Sequence, residues 1–281
     1  MRVARYWARA QVERDGYGRG AWGSSETSLQ DAEHNARARA EAMLAEVIDQ
    51  DDSSLHHYEY QRHDMPEPIV QDIVDREGNR IAAITTNRYG ASVLNTARLV
   101  FVDIDFPEPS PPPGLLGRLL GRKPAAEDFH GAALSRLRDW ASDDPNRGAR
   151  VYKTAAGLRY LLTHPMLSPD GEDTAHLMAE LSADPLYARL CRAQGSFRAR
   201  LSPKPWRLGI RGTPKLTYEK LEPADDATRK WLHDYRQASQ RYAVCALVDQ
   251  VGHARPTDDD TARLIAVHDE HAGVGKDLPL A

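Results

Sequence analysis

The run Leu-Val-Phe-Val-Asp-Ile-Asp at residues 99–105 constrains the fold of this chain more than any other stretch. A continuous apolar approach, Leu99–Val102, that runs on through two acids to Pro107 reads as a buried strand. Such a strand needs neighbours along its edges and cover on its faces, so a sheet must form around it. Asp103 and Asp105 stand at i and i+2 on that strand and share one face, with Cα atoms roughly 7 Å apart. Two carboxylates so placed repel unless something positive lies between them. A hard divalent cation, Mg2+ or Mn2+, satisfies both. On this reading Asp103 and Asp105 are metal ligands and catalytic residues of a phosphoryl-transfer site. On the plain structural reading they cap a helix or pair with arginines.

Composition bounds the alternatives. The chain has 281 residues, enough for one large domain or two modest ones. With 41% hydrophobic and 28% charged residues it falls in the ordinary globular class. The net charge of −4 provides no global positive field, so nucleic-acid binding would need a local patch. Cys191 and Cys245 are the two cysteines. They exclude a disulfide framework and a cysteine-based zinc site, and they point to a reducing cytoplasm. No apolar run has the length of a signal-peptide core or a membrane span, so no membrane partner is expected.

The pattern along the chain predicts an early strand in residues 3–12, a Gly- and Ser-rich loop over 15–28, and a helix capped by Ser28. A short strand is expected at 56–62, and two strands around the turn Glu77-Gly78-Asn79. The Pro- and Gly-rich segment 106–128 reads as a long connection bordering the two acids. An amphipathic helix at 129–143 and a β-hairpin at 148–164 with its turn at 155–157 follow. Two short helices, a strand at 196–201, one long helix over 226–252 and a C-terminal helix complete the reading. Strands and helices mix without steady alternation, which gives an α+β class.

Two further stretches carry candidate chemistry. In the hairpin, Lys153 and Arg159 are expected to pair near the tight turn and grip phosphate, Arg by its bidentate fork. Small turn residues would let backbone approach a ligand. The segment Ser-Phe-Arg-Ala-Arg-Leu-Ser-Pro-Lys-Pro-Trp-Arg at residues 196–207 is a basic patch free of acids. Its Arg198, Arg200, Lys204 and Arg207 are candidate phosphate ligands, and Phe197 and Trp206 candidate stacking platforms. The competing reading is a solvated edge strand. His268 and His271 read as surface residues of a C-terminal helix.

Taken in order, the strand ending in Asp103-Ile104-Asp105 and the Gly157 hairpin ending in His164 resemble the archaeo-eukaryotic primase superfamily, in particular its primase-polymerase branch. The resemblance spans roughly residues 95–220 and implies a primase-like palm, a mixed or antiparallel sheet flanked by helices. It implies Asp103 and Asp105 as metal ligands, Mg2+ or Mn2+ as cofactor, and nucleoside triphosphate or single-stranded nucleic acid as partner. His164 and Arg159 lie in the second motif, with Arg159 where that family has His. The third acid is Glu219 or Asp249. Three parts are expected: residues 1–90, a palm over 91–222, and a helical segment over 223–281, or one continuous domain. The functional readings are a metal-dependent nucleotidyltransferase, a decayed primase-like module that holds nucleic acid or an acidic partner, and an unrelated hydrolase.

Overall fold

The structure is a computed structural model that describes residues 1–49, 66–107, 125–164, 167–217, 222–223 and 225–281. The strand expected at 56–62, most of the connection after Phe106, and Glu219 lie outside the described residues. The fold is α+β, and its strand pairings are antiparallel. Among the described residues no helix is long and apolar enough to cross a membrane.

Strands β1 (Tyr6–Arg14) and β2 (Tyr17–Ser25) form a hairpin, so the expected glycine-rich loop is a strand. Its turn is Asp15-Gly16, both with positive φ, which is the dipeptide that a two-residue hairpin turn favours. Helix α1 (Leu29–Asp49) packs across the hairpin. Ser28 caps it as expected, its hydroxyl accepting from the Asp31 N–H at 3.0 Å. Ala32, Ala36 and Ala40 are fully buried along one stripe. A Cβ on Gly23 would lie 2.1 Å from the backbone nitrogen of Ala36. Bare backbone on β2 is therefore what lets the helix approach.

The first four-stranded sheet has the order β3-β4-β5-β9, from β3 (Ile69–Val74), β4 (Arg80–Thr86), β5 (Ser92–Thr96) and, more than 100 residues later, β9 (Phe197–Arg200). The second takes β6 (Val100–Asp105), β7 (Gly148–Thr154), β8 (Gly157–His164) and β12 (Cys245–Gly252) in the order β12-β7-β8-β6. Two-residue strands β10 (Leu216–Thr217) and β11 (Glu222–Pro223) pair with each other. The six helices are α1, α2 (Ala125–Ser142), α3 (Glu172–Glu180), α4 (Pro185–Gln194), α5 (Asp226–Ser239) and α6 (Asp259–Ala272), counted among the described residues.

The long helix expected over 226–252 is corrected. Helix α5 stops at Ser239, and residues 245–252 form an edge strand of the second sheet. The chain after residue 223 is thus not a separate helical appendage, because β12 pairs with β7. A bulge between Leu247 and Asp249 interrupts that pairing. At the opposite edge, the backbone of β6 is covered. The Asp184 N–H donates to the Asp103 carbonyl at 2.8 Å, and the Tyr187 hydroxyl donates to the Phe101 carbonyl at 2.9 Å. Both donors come from the start of α4, where Asp184 is the cap and Pro185 the first residue. Ala133, Leu137 and Trp140 of α2 join the core, while Phe129 on the same helix is exposed.

Gly23→Val should lower stability to urea by about 3 kcal/mol, the upper range for overpacking against backbone that cannot yield. Gly18→Ala is the control on the same strand, since its Cβ would meet nothing nearer than 3.9 Å. Equal midpoints for the two variants would contradict this account of the hairpin and α1.

Candidate anion-binding site

The hairpin register sets the site. Its turn residues Ala155 and Ala156 pair Tyr152 with Arg159, and Lys153 with Leu158. On the other side of β8, Arg159 pairs with Asp103 of β6. Directly paired residues share a face, so Asp103, Arg159 and Tyr152 form a row across the sheet. Helix α6 covers this row. Its His268 ring lies 5.2 Å from the Phe101 ring and 5.0 Å from the Tyr152 ring, centroid to centroid.

Arg159 is 1% exposed. Its Nε and Nη2 donate to the two oxygens of Asp103 at 2.7 and 3.0 Å. Its Nη1 donates to the carbonyl of Arg200 at 3.1 Å and lies 3.5 Å from His268 Nε2. Burial pulls the guanidinium pKa down, but the Asp103 carboxylate more than offsets this, and the net shift is upward. Arg159 therefore stays charged.

Burial pushes His268 the other way, and the charge of Arg159 adds to it. Asp269 resists, and the net shift is downward. A neutral imidazole fits its contacts. Nδ1–H donates to Asp269 Oδ1 at 2.9 Å, which leaves the Nε2 lone pair toward Arg159. Asp269 also accepts from the Tyr152 hydroxyl at 2.8 Å and from Arg150 Nη2 at 2.7 Å. Two ion pairs, Asp103–Arg159 and Asp269–Arg150, are thus joined through one neutral ring.

At the end of β6 this row opens into a narrow pocket. It is small, about 10 Å³, and Asp105, Thr154, Ala156, Arg159, Arg200 and Arg207 line it. Arg200 has no carboxylate within ion-pair distance among the described residues. Burial lowers its pKa, and the charges of Arg159 and Arg207 lower it further. Lys204 is lowered by burial and then by Arg200 and Arg207. These cations press on one another, and a bound anion would relieve all of them.

Trp206 stands beside them on the 3₁₀ turn Pro205–Leu208. Its side chain is half exposed, packs edge-to-face with Tyr89 at 5.1 Å, and has the Lys204 ammonium 5.5 Å from its ring centroid. The support beneath is rigid. Trp231 stacks on Tyr235 at 5.3 Å, and the Tyr235 hydroxyl donates to the Pro203 carbonyl at 2.7 Å.

Of the residues singled out in the sequence, Asp103, Asp105, Arg159, Arg200 and Arg207 line this one pocket. Lys204 lies within their electrostatic reach. Three others do not join them. Lys153 pairs with Leu158, one register step from Arg159, and its side chain points to the opposite face. Arg198 is held by both oxygens of Glu67 at 2.8 and 2.7 Å. His164 ends β8, five residues beyond Arg159, about 16 Å along the strand. Phe197 is fully buried and offers no stacking face. Gly157 makes its close approach to protein backbone, since a Cβ there would lie 1.9 Å from the Ile104 carbonyl oxygen.

The donor set does not fit a resident divalent metal. Arg159 engages both oxygens of Asp103, and no cluster of three His, Cys, Asp or Glu side chains occurs among the described residues. Asp249 lies on β12, not on a helix, and pairs with Arg138 at 3.2 Å. His268 and Asp269 are the site-organising residues that sequence reasoning missed. The available signal was spacing: Leu264, Ile265, His268 and Ala272 fall on one helical stripe, and all are buried.

No protein-family model, curated protein or solved structure matches this chain.

Asp103→Asn removes the charge that compensates a buried guanidinium. It should cost about 3 kcal/mol in urea denaturation, the lower end of the range for breaking buried pairs, because Asp103 itself is 24% exposed. Asp105→Asn, at an exposed carboxylate, should leave the midpoint unchanged. Equal losses at the two positions would refute the distinction. His268 has a depressed pKa when folded, so its stabilisation is full above the unfolded value of about 6.5 and is lost as pH falls toward the folded value. Stability should decline below about pH 6.5 by up to 1.4 kcal/mol per pH unit from this group. His268→Asn should flatten that decline, measured by denaturation at a series of pH values.

Proposed function

We propose that this chain is a phosphate-binding module with a primase-like palm, and that it holds single-stranded nucleic acid. The observation that carries the reading is Arg200, a partly buried guanidinium with no carboxylate at ion-pair distance among the described residues, at a pocket it shares with Arg159 and Arg207. A desolvated cation is costly unless an anion completes it. Guanidinium forks match the geometry of phosphate oxygens.

Charge balance supports a strand over a free triphosphate. Asp103 and Asp105 stand beside Arg159, Arg200, Lys204 and Arg207. Two acids against four cations leave a surplus of about two positive charges, which suits diester phosphates that carry one negative charge each. The exposed face of Trp206 suits a stacked base, and stacking is tolerant of base identity. In this reading Arg159 is a positioning residue. It fixes the Arg200 backbone through its carbonyl and lends charge to the pocket.

Asp105 favours a second reading. Its carboxylate is exposed at the pocket and has no ion-pair partner among the described residues. Mg2+ is commonly held by one or two carboxylates together with substrate phosphates, so Mg2+ or Mn2+ would enter with a nucleoside triphosphate, and the protein would act as a nucleotidyltransferase. Calorimetric titration of Mn2+ separates the readings. The binding module predicts no Mn2+ uptake with or without triphosphate, and the enzyme predicts uptake that requires the triphosphate and is abolished by Asp105→Asn.

Binding of oligothymidylate, followed by fluorescence anisotropy, should weaken with salt. Three contacts from Arg200, Lys204 and Arg207 give a slope of log K against log salt of about −2, at about −0.7 per contact. Arg200→Ala should make it shallower by about 0.7. Trp206→Ala should cost about 1–3 kcal/mol of affinity with the slope retained. Absence of binding to any single strand at low salt would remove nucleic acid as the partner.

A further inference from the structure

A groove between α3 and α4 shares no lining residue with the Arg200 pocket. Its volume is about 310 Å³, at the lower end of the range for small-molecule sites. The facing positions of the two helices explain the space. Ala175 and Ala179 of α3 and Ala188 of α4 each present only a methyl group to it. Met178 and Cys191 close the floor and are buried. The turn that joins the helices is fixed by its own backbone. The Ala183 N–H donates to the Met178 carbonyl at 2.8 Å, and Ser182 takes a positive φ of 56° between them.

The charge along this groove has one sign. Arg189 and Arg192 line it and are exposed, and their i, i+3 spacing sets them side by side on α4. Neither has a carboxylate at ion-pair distance among the described residues. Arg192 lies in the last turn, where a cation complements the helix end. Arg189 stands further back and has no such role. No acid lines the groove among the described residues. Glu172, Asp173 and Glu180 of α3 fall outside the lining. Asp184 accepts from the Tyr187 N–H at 2.7 Å, and Asp170 pairs with Arg2.

Apolar walls beside two uncompensated guanidinium groups select an amphiphile. Guanidinium forks match the oxygens of a carboxylate or a phosphate, and methylene groups suit the alanine methyls. The volume equals about ten water volumes, room for an anionic head and a chain of about eight carbons.

We infer that this groove is a binding site for a single-chain aliphatic anion of about eight carbons, its head held by Arg189 and Arg192 and its chain by the alanine walls. The site stands apart from the Arg200 pocket and does not depend on what that pocket holds.

The test measures dissociation constants by saturation-transfer NMR on the full chain. Octanoate and octyl phosphate are the probes, each at about 1 mM, tenfold above a 0.1 mM dissociation constant. At least one should bind, and the tighter of the two identifies the head. 1-Octanol, which lacks the charge, should bind at least tenfold more weakly than that anion. Butanoate should bind at least tenfold more weakly than octanoate, since each fully buried CH₂ is worth about fourfold. Arg189→Gln with Arg192→Gln should weaken the anion at least tenfold and leave 1-octanol unchanged. Ala175→Leu with Ala179→Leu, at exposed positions on α3, keeps helix propensity, fills the groove and should abolish binding. A wild-type chain that binds neither anion overturns the inference. So does 1-octanol or butanoate binding as tightly as the anions, or anion binding retained in full by either double variant.

Discussion

The buried guanidinium of Arg159 is the constraint on which the rest of this structure depends. A charge with 1% exposure is tolerable only if every face of it is matched. Asp103 matches Nε and Nη2, and the Arg200 carbonyl and the His268 lone pair both lie against Nη1. These partners come from β6, β9 and α6, which are remote in sequence. One side chain therefore ties the two sheets to each other and to the C-terminal helix. The need for a neutral imidazole follows, and Asp269 with its own partners Arg150 and Tyr152 follows from that.

Polar groups at this density inside a core give a fold few ways to rearrange. A network satisfied at every member is rigid, and one left half satisfied is worse than an apolar core. The consequence at the surface is electrostatic. Arg159 is bound to Asp103, while among the described residues Arg200, Lys204 and Arg207 have no carboxylate at ion-pair distance. Burial first, and then the neighbouring cations against a partial offset from Asp103 and Asp105, lower the pKa of both Arg200 and Lys204, and the site is in that sense prepared for an anion before one arrives.

Much of this was legible in the sequence, and the failures have physical causes. The strand at 99–105 was readable because its apolar run and its paired acids agree on one conformation. The hairpin at 148–164 was readable too, but not its register. Pairing Lys153 with Arg159 differs by one residue from the observed pairing of Tyr152 with Arg159, and one residue turns a side chain to the other face. Residues 17–25 read as a loop because glycines are poor strand formers alone. The Asp15-Gly16 turn, and the need of α1 for bare backbone at Gly23, outweigh that. Helical spacing through Tyr242, Cys245 and Val248 concealed β12, which tertiary pairing with β7 decides. Arg198 looked free because its partner Glu67 lies 131 residues away. His268 looked exposed because charged neighbours flank it in sequence.

The treatment of the second sheet's two borders has an effect on assembly. Strand β6 has backbone carbonyls engaged by Asp184 and Tyr187, so a foreign strand cannot extend the ladder there. Growth is left to β12, where the bulge between Leu247 and Asp249 breaks the repeat of donors and acceptors. An incoming segment would find its register lost midway, as at other edges guarded by bulges. The sheet thus carries its own stop at both margins, and its width of four strands is a property of the chain itself rather than of its concentration or its company.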